Sequence, residues 1–238
     1  MNNWIAPQRP TNYAESSLIS AILDGDFPPS SNLPGERSLA VDLGVTRPTL
    51  REAIQRLARD GWLTVQQGKA TQVNDIWREG GLNVLSALVH YPDHLPVGFI
   101  TSLLEVRLNL APAYTREAII NNNDAVITFL AQHTTLADET AVYAQYDWQL
   151  HRLLTIQSGN SIYPLILNGF TDFYAQIARV YFSAADARAR SRLFYAALLE
   201  PAVAPDPARA EAICRQTMQE SIELWQTVKN LRFSSLKS

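Results

Sequence analysis

The glycines of this chain are concentrated in its first third, and this uneven distribution limits the folds it can adopt. Seven of the ten glycines lie within residues 1–81. Glycine favours turns and helix ends, so the pattern predicts a small N-terminal domain rich in turns, followed by long helices. A chain of 238 residues is long enough for two domains, which we place at residues 1–75 and 82–238, with a linker over 76–81.

Composition excludes several classes of protein. A hydrophobic fraction of 47% is too high for a disordered chain, and the apolar runs are too short for a membrane helix. Residues 1–10 lack the apolar core of a signal peptide, and a single cysteine argues against a disulfide framework. These features predict a cytoplasmic protein. The net charge of −3 argues against a chain coated with positive charge, but it is compatible with a local basic patch.

Two short helices separated by a glycine turn are predicted within the first third. Residues 36–43 form the first helix and Gly44 ends it, because glycine readily adopts the left-handed conformation found after a helix. Thr46 can cap the second helix, and Pro48 suits its first turn. Apolar residues recur at helical spacing as far as Gly61, which ends the helix. This arrangement is typical of a helix-turn-helix unit, whose second helix enters the major groove of DNA.

Arginines occupy the start of the second helix. Arg47 and Arg51 are four residues apart, so they share one face and repel each other unless an anion or a base edge lies opposite. A guanidinium can donate two hydrogen bonds to guanine, which favours contact with DNA. A solvated basic face is the alternative. Residues 36–69 contain six basic and four acidic side chains, which gives a local charge of +2.

A β-hairpin is predicted directly after the second helix. Residues 62–66 and 70–73 are rich in strand-forming side chains, and Gln67, Gly68 and Lys69 form a tight turn between them. A tip of this kind can approach the backbone or the minor groove of DNA closely. An ordinary exposed hairpin is the alternative interpretation.

Four segments together resemble the GntR family of bacterial transcription regulators, and within it the FadR subfamily. They are residues 26–37, 44–53, 57–69 and 158–169, and the resemblance extends from about residue 10 to residue 230. It implies a mainly α fold, in which an N-terminal winged helix-turn-helix precedes a C-terminal seven-helix antiparallel bundle of the FadR type. It also implies a homodimer on double-stranded operator DNA.

The resemblance implies a DNA-contact role for eight residues. The first of them would contact phosphate, the next four would lie at the major groove, and the last three would bring the hairpin tip to the minor groove. They are Arg37, Thr46, Arg47, Thr49, Arg51, Gln67, Gly68 and Lys69. Gln67 stands where the subfamily often has His, and Pro48 stands where it often has Thr.

The rest of the chain is predicted to be helical with few interruptions. The spans are residues 78–91, 96–121, 123–137, 139–157, 161–183, 186–200 and 206–231, separated by breaks at prolines, at residues 121–123 and at residues 158–160. Little strand signal remains, so these helices predict an antiparallel bundle.

Asp147 and His151 lie four residues apart on one helical face, a spacing that can hold a metal ion. Family members that sense small organic acids use one Asp and three His, but two of those positions are Ala196 and Gln219 here. Two protein ligands are too few for a tight site, so we expect no metal and no cofactor. A structural hydrogen bond between Asp147 and His151 is the favoured alternative.

The subfamily resemblance implies a long-chain fatty acyl-CoA as the effector of the helical domain. The residues that it places near the ligand are Arg107, Tyr181, Tyr195, Glu220, Ser221, Trp225 and Lys229. Arg107 stands in an apolar run, so it needs a partner if it is buried. Plain core packing is the alternative for most of the aromatic residues. Met218 replaces a small glycine of the subfamily, which would narrow the pocket or change the preferred chain length.

The leading hypothesis is a dimeric regulator that represses fatty acid degradation and activates unsaturated fatty acid biosynthesis, and that long-chain acyl-CoA releases from its operator. The first alternative is a GntR regulator of another metabolite, such as a carboxylate, and the incomplete metal set argues against it. The second is a helical enzyme with a DNA-binding head. No Glu-x-x-His pair, nucleophile–base set or phosphate loop supports catalysis, so we expect no enzyme.

Overall fold

A division between Leu95 and Pro96 separates the chain into two units in the computed structural model. The structure describes the backbone of residues 9–235 and the side chains of residues 9–227. Helices dominate both units, as predicted for the fold class. None of the helices in this described part is long and apolar enough to cross a bilayer.

The first unit contains the predicted helix-turn-helix. It is built from α1 (Pro10–Asp24), α2 (Glu36–Asp42) and α3 (Arg47–Asp60). The side chain of Thr46 accepts a hydrogen bond from the Thr49 N–H at 3.3 Å, which confirms the predicted N-cap. Gly44 has a φ of 66°, the left-handed conformation predicted after α2. The helices enclose an apolar core that includes Ala14, Leu18, Ile19, Leu39, Ala40, Leu50, Ala53, Ile54 and Leu57.

The hairpin is also present, although its strands are shorter than predicted. Strands β1 (Leu63–Thr64) and β2 (Gln72–Val73) pair antiparallel. An extended segment missed by the sequence analysis flanks β2, because Leu33 N–H donates to Thr71 O at 2.8 Å and Val73 N–H donates to Ser31 O at 2.9 Å. The wing therefore has backbone support on both sides of β2.

Residues 76–95 belong to the first unit. The helix predicted over residues 78–91 is wrong as a single element, because the structure has α4 (Ile76–Glu79) and α5 (Leu82–Leu88) instead. Gly80 lies at the break in an extended conformation, where only glycine fits, since a Cβ there would lie 2.4 Å from the carbonyl oxygen of Ile76. Part of the linker predicted over residues 76–81 is thus helical.

The second unit is a helical domain. Its helices are α6 (Phe99–Leu130), α7 (Thr140–Gln157), α8 (Ile162–Asn168), α9 (Thr171–Tyr181), α10 (Ala185–Val203) and α11 (Pro207–Ser235). The long helix α6 packs against α7, α10 and α11. The core between these helices includes Ala118, Leu130, Tyr143, Leu150, Leu154, Phe194, Leu198 and Cys214.

Two predicted boundaries in this unit differ from the structure. The break predicted at residues 121–123 is a kink within α6, where Asn122 leaves helical geometry and its side chain caps the next segment through Ala125 N–H at 3.3 Å. The continuous helix predicted over residues 161–183 is wrong, because α8 ends at Asn168, Gly169 follows it and α9 begins at Thr171. Thr171 Oγ1 donates to the Asn168 carbonyl at 2.7 Å at this break. Counted with α6 as two segments, the described part of the unit contains seven α-helical segments, besides a short 3-10 helix at Ala131–Thr135.

Candidate functional site

The residues predicted to contact DNA lie in the first unit, at the starts of α2 and α3 and at the wing. Arg37, Arg47 and Arg51 are exposed, and Thr49 is half-buried. The hydroxyls of Thr46 and Thr49 lie 2.8 Å apart, so these two side chains are fixed at the start of α3. The exposed guanidinium groups can therefore donate to an anion or a base edge that approaches this end of the helix.

The wing tip presents Gln67, Gly68 and Lys69, and all three are exposed. Gly68 has a φ of 75°, a conformation that other residues adopt only with strain. Lys69 N–H donates to Gln66 O at 3.1 Å and closes the turn. The lysine consequently stands at the end of a short, defined loop, as a minor-groove or phosphate contact requires.

The cations of this surface differ in their partners. Arg51 forms an ion pair with Glu36, with 2.6 Å between Nη2 and Oε2. Within residues 9–227, by contrast, no acidic side chain lies within ion-pair distance of Arg37, Arg47 or Lys69. Three positive charges are thus available for a polyanion, as the predicted role requires.

An apolar cavity lies in the second unit, between α6, α8, α9 and α11. Its cavity volume is about 110 Å³. Most of its lining is aliphatic or aromatic, and the side chains that surround it include Leu103, Leu104, Leu110, Tyr163, Ile166, Leu167, Phe170, Phe173, Ile177 and Ala178. Its apolar lining with a few polar groups is that of a site for a mostly apolar small molecule.

Four of the seven predicted ligand residues line this cavity, namely Arg107, Tyr181, Ser221 and Trp225. The other three do not appear on its described surface. Tyr195 is fully buried beside it, Glu220 accepts a hydrogen bond from Gln216, and the side chain of Lys229 lies outside the described residues.

Met218 does not line the cavity in the described structure. Its side chain is buried in the core of the unit, while its carbonyl accepts a hydrogen bond from Ser221 Oγ at 2.7 Å. Any effect of this residue on the pocket therefore acts through the position of Ser221 and the backbone of α11.

A buried carboxylate, Asp147, organises the polar side of the cavity. Arg107 Nη2 donates to its Oδ2 at 2.8 Å, Tyr174 Oη donates to the same oxygen at 2.5 Å, and Tyr195 Oη donates to Oδ1 at 3.0 Å. Burial alone would raise the pKa of Asp147, but the positive charge of Arg107, together with His151 and the hydrogen bonds from Tyr174 and Tyr195, outweighs this effect and the net shift is downward. The carboxylate stays charged, and Arg107 has the partner that its apolar surroundings require.

His151 takes part in the same cluster as a neutral side chain. Its Nε2 lies 2.5 Å from Arg107 Nη2 and must accept, because a guanidinium only donates. The ring proton is then on Nδ1, 2.7 Å from Tyr114 Oη. Burial and the nearby Arg107 charge lower the pKa of His151 to about 3.

The geometry corrects the predicted hydrogen bond between Asp147 and His151. His151 Nε2 is 3.8 Å from Asp147 Oδ2, which is too long for a hydrogen bond, and Arg107 Nη2 contacts both atoms. The guanidinium of Arg107 thus occupies the position between the two side chains that a metal ion would need. In the described part of the chain no three His, Cys, Asp or Glu side chains are grouped as metal ligands. The residues present do not fit a metal site.

Two cavity residues, Tyr114 and Tyr174, escaped the sequence analysis as ligand candidates. Burial raises the pKa of both phenols well above the usual value, so they remain hydrogen-bond donors. Tyr174 also lies below the guanidinium of Arg107, 6.0 Å from ring centroid to Cζ. Tyr114 lies two helical turns after Arg107 on α6, so the spacing places both on one face and could have indicated it. Tyr174 comes from α9, and its approach to Arg107 depends on how the helices pack.

Comparison with known protein families gives two matches, which follow one another along the chain. Residues 10–73 match the family of bacterial regulatory proteins named gntR, and residues 74–235 match the FadR C-terminal domain. The second match alone covers more than half of the chain.

Individual proteins give the same result. The chain is 42% identical over 222 residues to a fatty acid metabolism regulator protein of Shewanella denitrificans, which covers 93% of this chain and 92% of the relative. The corresponding protein of Shewanella oneidensis is 41% identical over 228 residues and 95% of either chain. A solved structure of Lar, which controls the agr system of Listeria monocytogenes, has a TM-score of 0.59 at 15% identity and covers 97% of this chain and 100% of its own. This last similarity concerns the fold alone.

Proposed function

Because this chain belongs to the GntR family of bacterial regulatory proteins and has a C-terminal domain of the FadR type, we infer that it regulates fatty acid metabolism by binding DNA. We propose that it acts as a homodimer in the cytoplasm and that long-chain fatty acyl-CoA releases it from its operator. The regulator class follows from the family. The effector, the dimer and the individual contacts are the proposed part.

The DNA half of the proposal is supported by the surface of the first unit. Arg47 and Arg51 lead the exposed end of α3, and Lys69 stands at the tip of the wing. One unit offers few phosphate contacts. Each neutralised phosphate steepens the slope of the logarithm of the binding constant against the logarithm of the salt concentration by about 0.9. Two units on a palindromic operator would double the contacts, which favours a dimer with two-fold symmetry.

The cavity of the second unit is the observation that carries the effector proposal. Its aliphatic and aromatic lining suits an acyl chain, since each buried methylene group contributes about 0.8 kcal/mol. Arg107, held on one side by Asp147, offers its other N–H groups to a polar group of the ligand. A long chain thus supplies much more binding free energy than the roughly 1–3 kcal/mol that allosteric coupling to DNA requires.

The consequence for transcription follows from release by the effector. A regulator that leaves DNA when acyl-CoA accumulates would repress genes of fatty acid degradation until their substrate is present. The same departure would end its activation of unsaturated fatty acid biosynthesis genes. Reporter fusions to both classes of promoter, compared with and without this protein, would measure the two effects.

Calorimetric titration of the purified protein tests the effector class directly. Long-chain acyl-CoA should bind with one site per chain, whereas free CoA and small carboxylates should release little heat. Elemental analysis of the same sample should find no stoichiometric metal. Tight binding of a small carboxylate that depends on added zinc would contradict the proposal.

A further inference from the structure

An ion pair between α2 and α3 calls for an explanation beyond folding. Arg51 Nε donates to Glu36 Oε1 at 3.3 Å, and Arg51 Nη2 donates to Glu36 Oε2 at 2.6 Å. The Arg51 side chain is 62% exposed and that of Glu36 31% exposed. Solvent screens so exposed a pair, which therefore contributes little to the stability of the fold.

The two hydrogen bonds occupy only one edge of the guanidinium. A carboxylate that accepts from Nε and Nη2 leaves the edge formed by Nη1 and Nη2 free to donate elsewhere. Guanine offers O6 and N7 in the major groove, and they match such an edge. An arginine already held in one plane also loses less conformational freedom when it binds.

From this geometry we propose that Glu36 is a positioning residue, which orients Arg51 toward a guanine edge and thereby sets the base preference at one operator position. The inference rests on the proposed DNA binding. Hydrogen bonding from Arg51, with a further contribution from the charge of Arg47, lowers the pKa of Glu36 and keeps it ionised. No other acidic side chain forms an ion pair with Arg51 in the described residues.

On this proposal Glu36 weakens binding to DNA of any sequence but increases the preference for the operator. A carboxylate near the duplex repels phosphate, so its removal should strengthen binding to any DNA. Removal also frees the Arg51 side chain, so the advantage of the operator over other sequences should fall. A carboxylate that merely competed with phosphate would show the first effect alone.

The experiment compares Glu36→Gln with Asp42→Asn, a matched control that removes one exposed acid from the same helix. Each variant, together with Arg51→Ala and the Glu36→Gln/Arg51→Ala double variant, selects duplexes from a library randomised over two helical turns. Operator and random-sequence affinities are then measured at one salt concentration. Circular dichroism checks that every variant retains its helices.

We expect Glu36→Gln to reduce the preference for operator about fivefold or more, and to relax the selected base at the same position as Arg51→Ala. Asp42→Asn should select the wild-type sequence, and the double variant should select as Arg51→Ala does. A Glu36→Gln variant as selective as the wild type would overturn the inference alone, as would relaxation at a different position. A wild-type protein that selects no sequence would overturn the proposed function as well.

Discussion

Arg107 and Asp147 form a buried ion pair across the cavity wall, with Nη2 2.8 Å from Oδ2, although 40 residues separate them in the chain. The Asp147 side chain is 4% exposed, whereas that of Arg107 is 23% exposed and lines the cavity. The pair thus joins the hydrogen-bonded interior of α7 to the surface that would meet a ligand. A change at either residue should alter both stability and binding.

Removal of the guanidinium should destabilise the fold. Arg107→Met leaves the Asp147 carboxylate buried without its cation, which we expect to lower the free energy of unfolding by about 3–5 kcal/mol. Asp147→Asn in the same chain removes the unpaired charge, so the double variant should recover part of this loss. Urea denaturation of the wild type, both single variants and the double variant measures the coupling. Additive effects of the two substitutions would show that the pair is not coupled.

The neutral state of His151 predicts a dependence of stability on pH. The pKa of His151 is about 3 in the folded chain and about 6.5 in an unfolded one, so its contribution is complete above pH 6.5 and is lost as the pH falls toward 3. Between pH 7 and pH 5 this residue should account for a loss of about 2 kcal/mol. His151→Gln, which can still donate and accept but does not titrate, should remove that loss in urea denaturation. His90→Gln, at an exposed site, should lose as much stability between pH 7 and pH 5 as the wild type does. An unchanged pH dependence in His151→Gln would show that the buried histidine is not its source.

Substitutions at the two ends of α3 should affect DNA binding differently. Arg47 lies at the exposed start of the helix, whereas Arg59 lies in its last turn beside Asp60, with 2.9 Å between Nε and Oδ1. Arg47→Ala should weaken operator binding about 5- to 150-fold in fluorescence anisotropy, because a base or phosphate contact is lost. Arg59→Ala should bind as the wild type does. Equal losses in both variants would indicate a general charge effect rather than contact by the start of α3.

Two leucines of α8 provide a matched test of the cavity. Leu167 lines it, whereas Leu165 is 63% exposed on the same helix. The bulky side chain in Leu167→Trp should fill part of the cavity, so the longest acyl-CoA that binds tightly in calorimetry should become shorter. Leu165→Trp should bind the wild-type range of chain lengths. Operator binding by both variants without ligand confirms that they are folded. Identical chain-length profiles would place the acyl chain elsewhere.

Local signals made the first unit predictable. Gly44, Thr46 and Gly61 each fix the backbone within a few residues, so the helix boundaries, the turn and the position of the wing follow from short stretches of sequence. The segment at residues 30–33 that flanks β2 was missed, because its pairing partner lies about 40 residues away and nothing in its own composition indicates a strand.

Long-range contacts explain what the sequence analysis missed in the second unit. Arg107 was expected to need a partner, but the choice of Asp147 depends on how α6 and α7 pack. The spacing of Asp147 and His151 correctly places both on one face, yet it could not show that a guanidinium lies between them. The break between α8 and α9 falls at Gly169, a residue type that favours helix ends, but the apolar periodicity continues across it and predicted one helix.

The most direct test of the account is an electrophoretic mobility shift of the protein–operator complex, titrated with acyl-CoAs of increasing chain length. We predict that long-chain acyl-CoA dissociates the complex, that free CoA does not, and that Leu167→Trp resists chains that release the wild type. A complex that persists with acyl-CoA of every length would contradict the central claim. So would release by a small carboxylate with zinc, because the cavity around Arg107 would then serve another ligand.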